Sequence, residues 1–405
     1  MIIKSFKYYL SIYKNIPELD RGLGFWYLPF IMFFLLMGFF VLPIYPIRSF
    51  ILFGYKMRLK NEIIEFVFSK NQLKISNELN IVDSTLLNFI NSDISKHKNS
   101  IIISNYKLFF IAILNSWEVF YFLIKSLAIK KVSQNSVRII RMVSISKIAK
   151  YHLKGAKAFV QYNDHAPYNV MSESIARRLG LKTVYIQHAP VSYKFPPLYH
   201  DLNVLFSEDS KVKYRHTTGE EFDSKNVITM CDFRLPMKEF LPIKTPDYVL
   251  ICYNELDSLT EIEKCASLFI DSGYNVKLRP HPADDRPVKF NDKIKVSGKE
   301  ASIWDDLSSS ICVIVNETAV PLESLYYDIP TYKLSLFSKS VKDNYNFISK
   351  GLFLKEYNSL EMLLYDIKHG IKSWDETKIF YFLGNINNKK NEIIQFNNEL
   401  HKLIN

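Results

Sequence analysis

The sequence predicts an α/β protein that is built on parallel sheets and divided into two domains. Two short runs rich in β-branched residues, 276–278 and 311–315, are bounded by polar residues or proline, and each leads into residues typical of a helix start. A strand–helix–strand unit is predicted between residues 158 and 186. The chain has 405 residues, of which 48% are hydrophobic, so it is long enough to bury two cores.

The first distinctive stretch is an apolar run near the N-terminus. Residues 22–47 carry no charged side chain, and Arg21 and Arg48 stand at the two ends of the run. About 20 apolar residues can cross a bilayer. Prolines interrupt the run and basic residues flank both sides, which fits insertion into one face of a membrane as well as a single span. Packing as core helices is a third alternative.

The first α/β unit is predicted from residue 158 onwards. Residues 158–161 form a strand, residues 168–179 form a helix that Gly180 ends, and residues 183–186 form the next strand. Polar side chains follow both strands: Asn163, Asp164 and His165 after the first, and Gln187 and His188 after the second.

The second domain opens with a predicted strand at 248–253 and a helix at 261–272. The next strand leads into Arg279 and then His281, which has a proline on each side. A residue before proline is held in an extended conformation, so the imidazole is presented on a stiff segment with a guanidinium nearby. Such a pair suits a phosphate, although His281 can also be interpreted as an ordinary turn residue.

A second polar segment follows the strand at 311–315. Asn316, Glu317 and Thr318 begin a predicted helix, whose N-terminus adds roughly half a positive charge and free amides. Because the carboxyl ends of parallel strands meet at one edge of a sheet, this segment and the His281 loop are expected to form one anion site. A plain helix cap with nothing bound is the alternative.

These features divide the chain into four predicted parts. Residues 1–60 are a hydrophobic, helical, membrane-associating segment, and residues 61–243 are a first α/β domain with helical additions. Residues 244–375 are a second, nucleotide-binding α/β domain, and residues 376–405 are a helical tail. A proline-punctuated stretch before residue 248 marks the linker between the two domains.

The Arg-Pro-His-Pro turn at 279–282 and the Asn-Glu-Thr segment at 316–318 resemble the nucleotide half of GT-B glycosyltransferases of bacterial surface polysaccharide synthesis. Similar families are the capsular Kdo transferases, the His-Pro-motif sialyltransferases and the teichoic acid glycerophosphotransferases. The resemblance implies a GT-B-like fold of two Rossmann-like domains that face a cleft. The Gln-His-Ala turn at 187–189 stands where these families have Gln-His-Gly, so its match is inexact.

The resemblance also implies site residues. The nucleotide phosphate is expected on His281 and Thr318, with Ser308 and Ser309 as further hydroxyls, and Arg279, Asn316 and Glu317 beside them. Glu323 either reaches a ribose hydroxyl or lies on a solvated helix face.

The implied activity is inverting transfer of a sugar from a nucleotide-activated donor, CMP- or UDP-linked by preference, to a growing capsule, O-antigen or lipooligosaccharide. A base must take the proton of the acceptor hydroxyl, and Asp164 is the first candidate, followed by His165 and His188. The acceptor would be a lipid-linked or free oligosaccharide, and the protein would lie at the cytoplasmic face of the inner membrane.

Composition excludes several other classes. There is no G-x-G-x-x-G fingerprint and no Walker P-loop, and the four cysteines lack zinc-ligand spacing. The net charge of +11 implies an anionic partner, but the basic residues are scattered and no nucleic-acid motif is present, so we expect lipid and nucleotide phosphate rather than nucleic acid. The pairs Asp284–Asp285 and Asp305–Asp306 are expected to be solvated, which predicts transfer without a metal or another cofactor.

Two other functions fit the same pattern. A non-hydrolysing sugar-nucleotide epimerase would share the two-domain architecture but would need no membrane segment. A non-catalytic scaffold of polysaccharide assembly would keep the fold and bind no nucleotide.

Overall fold

The three-dimensional structure is a computed structural model of the chain. It describes residues 27–41, 63–65, 98–100, 105–127, 143–144, 147, 158–161, 167–232, 235, 245–282, 284, 286, 290–298, 301–338 and 343–404. Asp164 and His165 lie outside the described residues, as do most of the predicted linker and most of the segment 1–60.

The described residues of the N-terminal part form three apolar helices and two short strands. They are α1 (Tyr27–Val41), β1 (Ile63–Glu65), β2 (Lys98–Ser100), α2 (Asn105–Leu114) and α3 (Ser116–Leu127). Helix α1 packs against α2 and α3, with Ile31 and Phe34 buried. Gly38 allows a close approach, because a Cβ there would lie 3.1 Å from the ring of Trp117. None of the helices in the described ranges combines the length and apolarity needed to cross a membrane.

The first sheet has four parallel strands in the order in which they occur along the chain. Its elements are β3 (Ala158–Gln161), α4 (Pro167–Arg178), β4 (Lys182–Ile186), β5 (Leu202–Leu205), α5 (Glu208–Thr218) and β6 (Val227–Thr229). The predicted strand–helix–strand unit is confirmed. Ser207 caps α5 by accepting a hydrogen bond from the Ser210 amide.

The second sheet has six parallel strands. Its elements are β7 (Tyr248–Tyr253), α6 (Leu259–Asp271), β8 (Asn275–Pro280), β9 (Lys295–Val296), α7 (Ile303–Leu307), β10 (Ser310–Val315), α8 (Val320–Tyr326), β11 (Thr331–Leu334), β12 (Glu356–Tyr357) and α9 (Leu360–Lys368). Every residue of β7 is buried, because apolar clusters cover both faces of the sheet. The strands predicted at 248–253, 276–278 and 311–315 are confirmed.

The order of these six strands is β12-β11-β10-β7-β8-β9. The chain runs outward from β7 to β9 in one direction, returns to the centre, and runs from β10 to β12 in the other. Such a reversal opens a crevice between the first connections, outside the carboxyl ends of the two central strands. The crevice lies between the ends of β7 and β10.

The C-terminal residues return to the first domain through α10 (Ile379–Leu383) and α11 (Lys389–Ile404). Ile393, Phe396 and Leu400 of α11 join the apolar cluster of β4, β5 and β6. The predicted helical tail is therefore part of the first domain's core, because its apolar face is buried against one face of that domain's sheet.

Candidate functional site

The crevice at the centre of the second sheet is bounded by the loops that follow β7, β8 and β10. Asn254 follows β7, and its side-chain amide donates to the Glu317 carbonyl at 2.9 Å. Asn316 follows β10 and donates to Asp257 Oδ1 at 3.0 Å. Asp257 Oδ2 in turn accepts from the Asn254 backbone amide at 2.9 Å. The loops after β7 and β10 are thus joined directly across the crevice.

Arg286 connects the loop after β8 to the same network. Its guanidinium donates to the carbonyls of Asp257 and Asn254 at 2.7 and 2.9 Å. It also holds both carboxylate oxygens of Asp284 at 2.9 and 2.7 Å. These hydrogen bonds from Arg286 lower the pKa of Asp284, so the pair stays charged at neutral pH. Arg286 was not among the residues predicted from the sequence, although its place after an Asp-Asp pair was a signal of an internal ion pair.

His281 stands at the rim of the crevice. Its backbone amide donates to the Tyr253 carbonyl at 2.7 Å, and its own carbonyl accepts from the Asp284 amide at 2.8 Å. These two bonds fix the turn, while the imidazole is exposed. Partial desolvation lowers the pKa of His281, with Glu255 and Asp284 acting in the opposite direction. The ring is therefore neutral in the free protein at pH 7, and an anion bound beside it would favour its charged form.

The segment after β10 contributes one side chain with free access to the crevice and two that are held internally. Asn316 is buried and bound to Asp257. The Glu317 carboxylate pairs with buried Lys333 and accepts from the Asn344 amide at 2.9 Å. Thr318 is only half-buried, and its hydroxyl accepts a long 3.5 Å bond from the Val320 amide. Of the predicted phosphate ligands, His281 and Thr318 are brought to the same edge of the sheet.

Ser308 and Ser309 lie at the opposite edge of the same sheet. The Ser309 carbonyl accepts from the Asp247 amide at 2.8 Å, just before β7 begins, and Ser308 ends α7. The six-residue strand β10 separates these serines from Asn316, a length of about 20 Å. The structure does not bring them to the site of His281, because they precede the strand rather than follow it.

Arg279 is engaged inside the domain. Its guanidinium pairs with Asp306 at 2.5 Å and donates to the Ala301 carbonyl at 3.0 Å, and Lys277 also pairs with Asp306 at 2.5 Å. Burial opposes the ionisation of Asp306, but hydrogen bonds from Lys277, Ser297 and Arg279 outweigh it and lower the pKa. Glu323 is half-buried in the first turn of α8.

The expectation that both aspartate pairs are solvated is wrong for one member of each pair. Asp284 and Asp306 are buried and paired with cations. The physical reason is that each buried carboxylate has cationic partners that offset the loss of hydration: Arg286 for Asp284, and Lys277 and Arg279 of β8 for Asp306.

Of the three candidate bases, His188 is the one that lies among the described residues, and it belongs to the first domain. It follows the carboxyl end of β4 and is half-buried. Its neighbour Gln187 is fully buried. The side-chain Nε2 of Gln187 donates to the Ala189 carbonyl at 2.8 Å, and its Oε1 accepts from the Phe206 backbone amide at 2.8 Å. Gln187 thus fixes the turn that carries His188. Asp164 and His165 stay predictions.

A buried polar cluster in the first domain was not predicted. His200 stacks between the rings of Tyr185 and Tyr199, and its Nε2 lies 2.6 Å from the Gln161 side-chain nitrogen. Its Nδ1 has no hydrogen-bond partner among the residues that the structure describes, and burial lowers the pKa of His200 well below its usual value. Burial also raises the pKa of Glu173 on α4 to about 7, against the opposing effect of Arg177.

Helix α5 of the first domain contacts the second domain. Lys213 of α5 is buried, pairs with Asp209 at 2.6 Å and donates to the Tyr345 carbonyl of the second domain at 2.8 Å. The contact between the domains is therefore partly polar.

No protein-family model matches the chain, and no curated protein matches it. Solved structures do match over most of its length. The UDP-N-acetylglucosamine 2-epimerase from Rickettsia bellii has a TM-score of 0.51 at 14% identity and covers 85% of this chain and 96% of its own. The S. aureus MnaA–UDP co-structure has a TM-score of 0.53 at 9% identity, covering 85% and 98%. UDP-GlcNAc 2-epimerase from Neisseria meningitidis bound to UDP-GlcNAc has a TM-score of 0.50 at 10% identity, covering 84% and 100%.

Two parallel α/β domains, the second with a topological switch point, define a GT-B-like fold, and the structural neighbours have the same fold. At these identities, the likeness establishes the fold alone.

Proposed function

We propose that this protein is a glycosyltransferase that uses a nucleotide-activated sugar. The observation that supports the proposal is that the loops carrying His281 and Thr318 both follow strands at the carboxyl edge of the second sheet, beside the switch point between β7 and β10. Ligands of doubly wound sheets bind in that crevice. Three loops tied by Arg286, Asp257 and Asn316 would keep the binding groups in position before the ligand arrives.

In the proposed reaction, the nucleotide phosphate lies against His281 and Thr318. The neutral imidazole of the free protein would gain a proton, or donate its ring N–H, as negative charge develops on the leaving nucleotide. Asp164 is the proposed base for the acceptor hydroxyl, with His165 and His188 as substitutes. The bond from the anomeric carbon to the nucleotide breaks and the bond to the acceptor oxygen forms, which inverts the anomeric centre.

The proposed donor is CMP- or UDP-linked, and the acceptor is a growing bacterial surface polysaccharide on a lipid or as a free oligosaccharide. We propose that the reaction needs no metal, since the histidine, hydroxyl and amides of the crevice supply the charge stabilisation. A test is to remove divalent ions with a chelator and to measure nucleotide release, which should be unchanged.

An epimerase is the second candidate, because the similar solved structures include enzymes that their names identify as UDP-N-acetylglucosamine 2-epimerases. One experiment separates the candidates. The purified protein is incubated with a panel of CMP-, UDP-, GDP- and CDP-linked sugars, with and without an acceptor extract, and nucleotide release and sugar configuration are followed by NMR.

Nucleotide release that requires the acceptor identifies a transferase. Interconversion of the donor sugar without an acceptor identifies an epimerase and contradicts the transferase proposal. If no nucleotide produces heat in calorimetry and no donor is consumed, the chain is a scaffold instead.

A further inference from the structure

Both faces of helix α1 are apolar, but one is buried against neighbouring helices and the other is exposed. Ile31 and Phe34 are buried against the neighbouring helices, and Gly38 is pressed against Trp117. The opposite face is open: Phe40 is 72% exposed and Leu36 is 56% exposed. Met32, Phe33 and Phe39 of α1 are exposed as well.

These five exposed residues share one side of the helix. At about 100° per residue, positions 32, 33, 36, 39 and 40 fall within an arc of roughly 120°. A helix that is apolar all round is normally covered on every side. Here the described structure covers only one side, so the exposed arc requires an apolar partner.

The patch continues from α1 onto α3. The ring of Phe39 meets the edge of Trp117 with 5.2 Å between centroids, and Trp117 is itself partly exposed. Contiguous exposed apolar patches on protein surfaces mark interaction sites. Tryptophan at such a margin suits the boundary between lipid and water, because its ring is apolar and its N–H is polar.

The charge of the sequence that contains α1 indicates the kind of partner. Residues 1–60 contain eight lysines and arginines and only two acidic residues, Glu18 and Asp20. Helices α1, α2 and α3 contain one acidic residue, Glu118, and Lys147 pairs with it at 2.5 Å. An exposed apolar face within a stretch of sequence that has an excess of positive charge is complementary to an anionic lipid surface, whereas a second copy of the same stretch would bring like charges together.

We propose that the α1 face formed by Met32, Phe33, Leu36, Phe39 and Phe40 docks into the outer part of an anionic bilayer leaflet. The buried face of α1 stays packed on α3, so the helix joins the protein to the lipid without leaving its own fold. This docking is independent of the proposed transferase activity, and nucleotide binding serves as a separate measurement.

The test uses the full-length protein and vesicles of either phosphatidylglycerol mixed with phosphatidylcholine or phosphatidylcholine alone. Cosedimentation should show binding to the anionic vesicles that weakens with salt. Phe40→Glu should lower the partition coefficient at least tenfold, because a charge at the most exposed position of the face would have to enter the lipid.

Leu354→Glu is the matched control. Leu354 is 67% exposed on the second domain, away from α1, so the same substitution there should leave vesicle binding unchanged. Circular dichroism and nucleotide calorimetry on both variants verify that the fold is intact. If Phe40→Glu fails to fold, quenching of wild-type tryptophan fluorescence by bromolipids, compared with Trp117→Phe, provides the second measurement.

Three results would overturn the proposal: equal vesicle binding by Phe40→Glu and wild type, no quenching attributable to Trp117, or a dimer that Phe40→Glu dissociates while the wild type ignores vesicles. The last result would identify the face as a contact between two copies of this chain.

Discussion

His281 is the residue on which the nucleotide proposal depends most directly. Its position is fixed by main-chain bonds to Tyr253 and Asp284, so the side chain can be removed without loss of the turn. A hydrogen bond to a charged phosphate contributes about 1.5–3 kcal/mol. We expect His281→Ala to weaken nucleotide binding by roughly tenfold or more, measured by calorimetry, with little change in thermal stability.

His369→Ala is the control for that variant, because His369 is also exposed but stands at the end of α9. The control should bind nucleotide as the wild type does. Equal affinity in both variants would remove His281 from the binding site.

His200 is a second residue with a measurable consequence, through the pH dependence of stability. The folded protein keeps this ring neutral, whereas the unfolded chain takes up a proton below pH ~6.5. Stability from His200 is therefore lost as pH falls below that value. Glu173 acts in the opposite direction: its pKa is raised to about 7 in the folded state, so its contribution is present at low pH and lost as pH rises through 7.

A comparison of wild type with His200→Gln separates the contribution of His200 to the pH dependence of stability from that of Glu173. Relative to the variant, the wild type should lose up to about 1.4 kcal/mol of unfolding free energy per pH unit between pH 6.5 and 5. Urea denaturation at several pH values measures this difference. A difference that does not vary with pH would mean that the pKa of His200 is the same in the folded protein as in the unfolded chain.

At the scale of elements, the turn between α10 and the following segment depends on Gly384. Its φ is +78°, and a Cβ there would lie 2.3 Å from the Phe206 carbonyl oxygen and 3.0 Å from the Cys231 Cα. We expect Gly384→Ala to be strongly destabilising, because it adds a backbone collision to the conformational cost.

Gly370→Ala separates those two effects. Gly370 also has a positive φ of +64°, but a Cβ added there would have no atom within 4 Å. The control should lose about 1–2 kcal/mol for conformation alone, and Gly384→Ala roughly a further 1–3 kcal/mol. The stability of both variants is measured by thermal denaturation. Equal losses of stability in the two would contradict the expectation.

For the molecule as a whole, the C-terminal helix completes the N-terminal domain. Phe396 of α11 is buried in the cluster formed with β4, β5 and β6, whereas Ile394 on the same helix is half exposed. Phe396→Ala should cost about 3–5 kcal/mol of stability, while Ile394→Ala should cost little.

Limited proteolysis shows which part of the molecule is destabilised by Phe396→Ala. The Phe396→Ala variant should be cleaved faster within residues 167–232, although the substitution lies far away in sequence. Faster cleavage confined to the second domain would show that α11 does not support the first.

The sequence alone determined those features of the structure that depend on residues adjacent to one another in the chain. The buried strands at 248–253, 276–278 and 311–315 follow from local apolar runs, and the turn around His281 follows from its two prolines. Because both polar segments follow parallel strands, their placement at one edge of the sheet was also predictable.

Only the tertiary structure decided which side chains remain available at that edge. Arg279 is engaged by Asp306, Glu317 by Lys333 and Asn316 by Asp257, and all three partners are distant in sequence. The same holds for the strand order that creates the switch point and for the return of α11 to the first domain. Local patterns specify what a residue can bind, but non-local packing determines which partner it meets, because each buried charge or apolar face pairs with whatever the completed fold brings beside it.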